Sequence, residues 1–169
     1  ALGDHHDALR HVFKTSPDSP FGLIQVAGTL DAPEALLFAE ATVSVAPSAP
    51  VETVDAEFRR VRGPIQSSLS SEAGPLFATC LVHAGPVDMV LMVAHHLVVD
   101  EVSWRVLISD METLLTTSAT GRTARLPPKS TSFKAWSRKL ADFSSSPEVL
   151  KQLPFWKQQC LPLPAPFPV

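Results

Sequence analysis

The amino-acid sequence predicts an α/β fold in which helices pack on a mixed sheet. Residues 76–84 and 88–95 are two apolar segments joined by Gly85-Pro86, a pattern that predicts a hairpin of strands. The second segment is apolar without alternation from Met89 to Ala94, which is typical of a strand covered on both faces. Segments with the apolar spacing of helices precede and follow the hairpin, so helices are available to cover the sheet.

Short elements separated by turns are predicted at the start of the chain. Residues 1–9 predict the end of a helix, and an extended piece follows at 11–13. Two prolines and an aspartate make 16–20 a turn. Residues 21–29 are rich in apolar types and bounded by turn residues, which favours a strand.

A helix is predicted next, from Pro33 to about Val45. Asp31 can cap this helix, Pro33 suits its first turn, and Glu34 has the spacing of a capping box. Pro47 would then end the helix, because proline cannot continue the hydrogen-bond ladder.

Apolar residues at helical spacing predict further helices over 51–62 and 102–116. A capped helix is predicted over 132–143 and a final short helix over 147–159. Asp100 is placed to cap the helix over 102–116. Residues 64–71 fit either a frayed helix or a loop. From Leu161 to Pro168 every second residue is proline, which forbids a helix and favours an extended, polyproline-like chain.

Composition excludes several classes of function. The chain has 169 residues with 14 Lys+Arg against 17 Asp+Glu, so it lacks the basic surplus of a nucleic-acid binder. No apolar run approaches the roughly 18 residues of a membrane span, and two cysteines make no disulfide framework. We therefore expect a cytoplasmic protein without nucleic-acid or membrane partners. The chain opens at Ala1 without methionine, and we interpret it as a piece of a longer protein.

Two histidines and an aspartate lie between the second hairpin strand and the helix that follows it: His95, His96 and Asp100. Ligands bind near strand ends in α/β sheets, and a histidine with a pKa of about 6.5 exchanges protons at neutral pH. A helix N-terminus favours developing negative charge. Three interpretations stay open on the residues alone: loop histidines beside a helix cap, an acid–base site, or a metal site. The metal site would recruit His5, His6, Asp7 and His83, although no metal-ligand spacing supports it.

Several motifs together resemble one known family. His95-His96-Leu-Val-Val-Asp100 is similar to the His-His-x-x-x-Asp signature of the condensation-domain superfamily of nonribosomal peptide synthetases. Asp100-Glu-Val-Ser-Trp-Arg105 and Leu126-Pro-Pro-Lys-Ser-Thr-Ser-Phe-Lys-Ala-Trp136 resemble stretches of its epimerization branch. His5-His6-Asp-Ala-Leu-Arg10 resembles an earlier family motif, and Phe155-Trp156 resembles the aromatic pair that closes the first lobe. These landmarks stand in the family's order over nearly the whole chain, which makes the resemblance specific.

The resemblance implies the N-terminal lobe of a fold like that of chloramphenicol acetyltransferase. Residues 1–125 would form the lobe core that carries the signature, and 126–169 the closing helices and the proline-rich exit segment. It also implies epimerization of an aminoacyl or peptidyl thioester by removal and return of the Cα proton. The phosphopantetheine arm of a peptidyl carrier protein would deliver the substrate, and no cofactor or metal would bind directly.

The family's other acid/base, a glutamate, belongs to a second lobe that this chain lacks, so we expect the chain alone to be inactive. Two alternatives remain at this level. A condensation domain would join two thioesters into a peptide bond, and a non-catalytic module would only dock the carrier protein.

The resemblance also implies roles for the residues of the signature. His96 would be an acid/base, and His95 would be structural or would orient His96. Asp100 would hold the loop, in an ion pair with Arg10 of the earlier motif.

Three residues after the signature are expected to support the site. Glu101 stands where condensation domains commonly have glycine, and we interpret it as a structural rim residue without a role in the chemistry. An extra base and a relaxed site are the alternatives. Ser103 would donate a hydrogen bond near the substrate or serve as a plain first-turn serine. Trp104 is interpreted as a core anchor rather than a substrate contact.

Overall fold

The computed structural model of the protein describes residues 1–29, 36–46 and 48–160. The chain divides into two compact units, Ala1–Lys129 and Ser130–Val169. The first unit combines helices with a mixed sheet, so the predicted α/β class is confirmed. Among the described residues, no helix has both the length and the hydropathy needed to cross a membrane.

The first unit contains helices, strands and one short 3₁₀ helix at Asp7–Arg10. Its elements in chain order are α1 (Leu2–His5), β1 (His11–Thr15), β2 (Leu23–Ala27), β3 (Leu37–Thr42), α2 (Val51–Ser67), β4 (Phe77–Ala84), β5 (Val87–Ala94) and α3 (Glu101–Ala119). Strands β1 and β2 form an antiparallel pair. The other sheet has the order β3-β4-β5, in which β3 runs parallel and β5 antiparallel to β4.

Strand β4 is the centre of the hydrophobic core, because its two faces contribute to two different clusters. Ala78, Cys80 and Val82 face a cluster that includes Val61 and Ile65 of α2. Phe77, on the opposite face of β4, belongs to the second cluster, which packs α1 and α3 against the sheet through Leu2, Leu9, Val99 and Leu107. The side chains of β5 divide between the same two clusters, as expected for a strand covered on both faces.

The predicted helix from Pro33 to Val45 is wrong where the structure describes it. Residues Leu37–Thr42 form β3, with side chains that alternate between half-buried and exposed. The segment pairs with β4, and Ala39 lies opposite Cys80 in the register. Pairing with a buried strand outweighs the weak helix propensity of alanine and leucine, which is worth only fractions of a kcal/mol per residue. The cap residues Asp31 and Glu34 lie outside the described residues.

Most other elements agree with the prediction, with small shifts at their ends. The single helix predicted over 147–159 is wrong, because the structure has two helices there, Pro147–Leu150 and Leu153–Gln159. Pro154 lies in the first turn of the second helix and has no N–H to continue the first. The hairpin of β4 and β5 and the short strands β1 and β2 are confirmed. Helix α2 continues through Pro64 to Ser67, so the segment that fitted either a helix or a loop begins as helix. Helix α3 begins directly after Asp100 and ends at Ala119.

The second unit contains three helices over its described residues. They are α4 (Phe133–Ser144), α5 (Pro147–Leu150) and α6 (Leu153–Gln159). Ser132 caps α4 by accepting a hydrogen bond from the Ala135 backbone N–H at 3.2 Å. The rings of Phe155 and Trp156 meet edge to face, with centroids 5.2 Å apart. The proline-rich segment after residue 160 lies outside the described residues.

Candidate active site

A short turn connects the end of β5 to the start of α3, and His95 organises it. The His95 backbone N–H donates to the Leu76 carbonyl at 2.9 Å, which keeps the turn attached to the sheet. The Nδ1 atom of the His95 ring accepts a hydrogen bond from the Leu97 N–H at 3.1 Å. The half-buried His95 ring is therefore engaged within its own turn, whereas the next residue, His96, is exposed.

Asp100 caps α3 through two hydrogen bonds from one residue. Its Oδ1 atom accepts from the backbone N–H of Ser103 at 2.7 Å and from the Ser103 hydroxyl at 2.6 Å. These bonds, the hydroxyl bond first, lower the pKa of Asp100, and the electrostatic interaction with nearby His96 adds a smaller effect. Asp100 is consequently a carboxylate at neutral pH, fixed at the positive end of the α3 dipole.

The expected ion pair between Asp100 and Arg10 is wrong. Arg10 instead donates from Nε to the Gly28 carbonyl at 3.1 Å, and a second guanidinium nitrogen donates to the Gly3 carbonyl. The backbone N–H of Gly28 donates a hydrogen bond of 2.8 Å to the Arg10 carbonyl. A Cβ at Gly28 would lie only 2.8 Å from the same oxygen, so the close approach requires glycine. Backbone carbonyls thus satisfy Arg10, and the adjacent Ser103 satisfies Asp100, so neither group needs the other.

An open pocket of about 290 Å³ lies where β5 ends and α3 begins. It is lined by Ala94, His96, Val99, Asp100, Glu101 and Trp104. Val99 is buried, and Trp104 is half-buried and packs against the core cluster of α1 and α3. The structure thus brings together the signature residues His96 and Asp100 with Glu101 and Trp104.

Glu101 is exposed and lines the pocket wall. One of its carboxylate oxygens lies 3.5 Å from a guanidinium nitrogen of Arg105, one helical turn later. An exposed pair of this kind adds little to stability because solvent screens it. The pocket therefore has an imidazole, an ionised helix cap and an exposed carboxylate on one wall.

The second histidine pair of the first unit lies outside this pocket. His6 Nε2 is 2.7 Å from Oδ2 of Asp110, a buried residue in the middle of α3. The His5 and His6 rings meet edge to face at 4.8 Å. Asp110 was not predicted as a partner from the sequence, because 104 residues separate it from His6. One feature of the sequence could have indicated that Asp110 is buried: it follows Leu107 by three residues and so lies on the core-facing side of α3.

His83 does not join the other histidines that the metal interpretation grouped with it. It lies in β4, where Nε2 is 2.7 Å from Glu40 Oε1 and Nδ1 is 2.7 Å from Asp88 Oδ1. The three residues come from β3, β4 and β5, so they join the three strands of the sheet. His83 therefore serves a cross-strand contact.

Comparison with known proteins identifies the family. The sequence matches the family described as Condensation domain over residues 1–165. The chain belongs to the condensation-domain family. Gramicidin S synthase 1 of Brevibacillus brevis is 33% identical to it over 153 residues, which cover 90% of this chain and 13% of that synthase. This condensation-domain chain therefore spans a small fraction of the curated relatives that it matches.

Solved structures support the same assignment. The epimerization domain from the third module of tyrocidine synthetase B is 31% identical, with a TM-score of 0.80, and the match covers 99% of this chain and 36% of that one. The starter condensation domain of rhizomide synthetase is 22% identical, with a TM-score of 0.73, and the match covers 98% and 38%. The second likeness concerns the fold alone. The predicted fold of half a condensation-type domain is confirmed, whereas the epimerization branch stays a prediction.

Proposed function

We propose that this chain is the first lobe of an epimerization domain, which converts L- to D-aminoacyl or peptidyl residues bound as a carrier-protein thioester. The observation that carries the proposal is the placement of His96, exposed in a pocket beside the ionised cap of α3. The similarity to an epimerization domain, at 31% identity, supports this branch of the family. The stretch from Asp100 to Arg105 supports it too. In this proposal residues 1–125 carry the site, residues 126–169 lead toward the second lobe, and the reaction takes place in the cytoplasm.

The reaction requires two proton transfers at one carbon. A thioester carbonyl acidifies its Cα–H bond, and His96 would accept that proton as the electron pair moves to the carbonyl oxygen. The positive end of α3 lies beside His96 and would stabilise the resulting oxyanion. A group on the second lobe would return a proton to the other face of the carbon. Ser103 keeps Asp100 in place, and Trp104 anchors the start of α3.

The substrate would reach the pocket on the phosphopantetheine arm of a peptidyl carrier protein. The pocket is open and about 290 Å³ in volume, just below the usual range of small-molecule sites. One wall built by β5 and α3 fits half of a channel that a second lobe would close. No cofactor enters the proposed chemistry, because both transfers move only protons.

The deciding experiment is deuterium wash-out from the Cα position of an L-aminoacyl carrier protein, measured with the two-lobed parent domain. We expect His96→Ala to lower the exchange rate by at least about 100-fold, the usual contribution of a positioned acid or base. His83→Ala is the matched control, because it removes a histidine that does not line the pocket. Unchanged exchange by the His96→Ala domain would remove His96 from the mechanism, and exchange by the 169-residue chain alone would contradict the need for a second lobe.

Two other functions are favoured by specific observations. The fold is shared with starter condensation domains, so peptide-bond formation is the first alternative. The product separates the two, since epimerization yields a racemised residue on one carrier and condensation yields a dipeptide moved between carriers.

Glu101, in place of the common glycine, favours the second alternative, a docking module. In that case, carrier binding without exchange in the parent domain, unaffected by His96→Ala, is the expected result.

A further inference from the structure

We propose that His5, His6 and Asp110 form a binding site for a divalent transition-metal ion of the zinc type, separate from the pocket at His96. One ligand atom from each residue can be chosen such that all three lie within 4.8 Å of one another. Imidazole nitrogen and carboxylate oxygen are ligands that zinc prefers in proteins. The proposal is independent of the epimerization chemistry and concerns what holds the N-terminal segment to α3.

The backbone explains why two consecutive histidines converge on one point. Helix α1 ends at His5, and His6 takes an extended conformation, with φ −101° and ψ 95°, before the 3₁₀ helix begins. This break turns the two rings toward each other, at an interplanar angle of 83°. Adjacent residues within a regular helix would instead point about 100° apart around its axis. The irregular backbone thus creates the pair of imidazoles.

Asp110 supplies the negative charge that such an ion needs. Its side chain is 8% exposed, and the structure pairs it with the His6 ring. A carboxylate at this depth interacts with a cation more strongly than one in water, because little solvent screens the charge. His5 and His6 are half-buried, so solvent and an incoming ion reach the cluster from their side.

The ligand distances require a modest adjustment. Metal bonds of about 2.0 to 2.2 Å in a tetrahedron place ligand atoms roughly 3.4 Å apart. The 2.7 Å contact between His6 and Asp110 would therefore open, and the wider separations would close by side-chain rotation. For the ion to bind, the hydrogen bond between His6 Nε2 and Asp110 would break, and the neutral His6 ring would carry its proton on Nδ1, so that Nε2 is free to coordinate. Water would complete the fourth position.

The site lies apart from the catalytic pocket on the same helix. Asp110 follows Glu101 by nine residues, which corresponds to about 13 Å along α3. None of the three ligands lines the His96 pocket. An ion here would link the segment around α1 to the middle of α3, and its expected consequence is stability rather than chemistry.

The test is metal titration of the full chain, free of any histidine tag and first stripped with a chelator. We expect zinc to bind at one equivalent by calorimetry and to raise the melting temperature, and cobalt to produce visible absorption bands. His5→Gln and Asp110→Asn should each weaken zinc binding at least about tenfold, since even the loss of a residue that only supports a ligand weakens metal binding by about that factor. Because Asp110→Asn removes a buried charge and can impair folding, His5→Gln is the deciding variant.

His83→Gln is the matched control, since it removes a histidine that two carboxylates flank elsewhere in the sheet. This variant should bind zinc as the unsubstituted chain does. Absence of zinc binding by the unsubstituted chain would overturn the proposal. Binding that survives His5→Gln unchanged, or that disappears in His83→Gln, would overturn it as well.

Discussion

The first unit holds two His-His pairs that contact the same helix in opposite ways. His95 and His96 precede the start of α3, where His96 is exposed and lines an open pocket. His5 and His6 meet the middle of α3, where His6 is hydrogen-bonded to the buried carboxylate of Asp110. The same dipeptide thus stands once exposed at an open pocket and once paired with a buried carboxylate.

The carboxylates explain the difference between the two settings. Asp100 is exposed and satisfied by Ser103 three residues away, so its bonds leave the His96 ring available for proton transfer. Asp110 is buried, and its partner is His6 from a distant part of the chain. A buried carboxylate without that partner would lose much more free energy than an exposed one, because water cannot replace the lost bond. Burial of the carboxylate therefore distinguishes the second histidine pair from the first.

The largest expected effect is that substitutions in the two histidine pairs change different properties of the domain. In the two-lobed parent domain, His96→Gln should lower Cα exchange at least about 100-fold while the melting temperature stays nearly unchanged. His6→Gln should do the reverse, with a lower melting temperature and exchange retained at temperatures where the domain is folded. A parallel loss of both properties in both variants would show that the two pairs are not functionally distinct.

The next largest effect is a loss of stability when Asp110, the partner of the second histidine pair, is replaced. Asp110→Ala should lower the free energy of unfolding by about 2 to 3 kcal/mol, because it leaves the half-buried His6 without its charged partner. Urea unfolding followed by far-UV circular dichroism measures this change. Glu112→Ala is the control, since Glu112 is an exposed carboxylate on the same helix, and it should stay close to the unsubstituted chain. Equal losses in both variants would contradict the structural role of Asp110.

Substitution of Asp100, the cap of α3 beside the first histidine pair, should have a smaller effect on stability. Asp100→Ala should lower the melting temperature at pH 7, whereas Asp100→Asn should retain most of the cap. Hydrogen bonds from Ser103 hold the pKa of Asp100 below its ordinary value of 3.8, so the native state stabilises the ionised form. Its contribution is therefore complete above that value and is lost as the pH falls through the lower native pKa. The difference in melting temperature between Asp100→Ala and the parent should shrink toward pH 3, and a difference that grows there would contradict the assignment.

The smallest effect concerns His83, which has carboxylate partners like His6 but lies near the surface. Its hydrogen bonds to Glu40 and then Asp88 raise the pKa of the His83 imidazole above its ordinary value of 6.5. The folded state thus favours the protonated ring, so the contribution to stability is complete below that value and is lost as pH rises through the native pKa. The cost of His83→Gln in melting temperature should be larger at pH 5.5 than at pH 9. A cost independent of pH would show that charge does not determine this contact.

Features that depend on near neighbours in the chain were predictable from the sequence. The Gly85-Pro86 turn between two apolar segments predicted the hairpin, and Asp100 predicted the start of α3, because a cap needs only the residues that follow it. Two residues of the signature, His96 and Asp100, line the pocket because they lie close together in the chain. The family assignment followed from motifs in a fixed order, which the match over residues 1–165 confirms.

Features that depend on distant residues emerged from packing. The residues of β3 favour a helix locally, and a parallel pairing with β4 makes them a strand. Arg10 binds the carbonyls of Gly3 and Gly28 rather than Asp100. His6 finds Asp110 across 104 residues, where no local spacing indicates a partner. In each case the contact forms because polar groups removed from water need hydrogen-bond partners and apolar faces need to be covered. The order of residues in the chain does not reveal which partners the fold brings within reach.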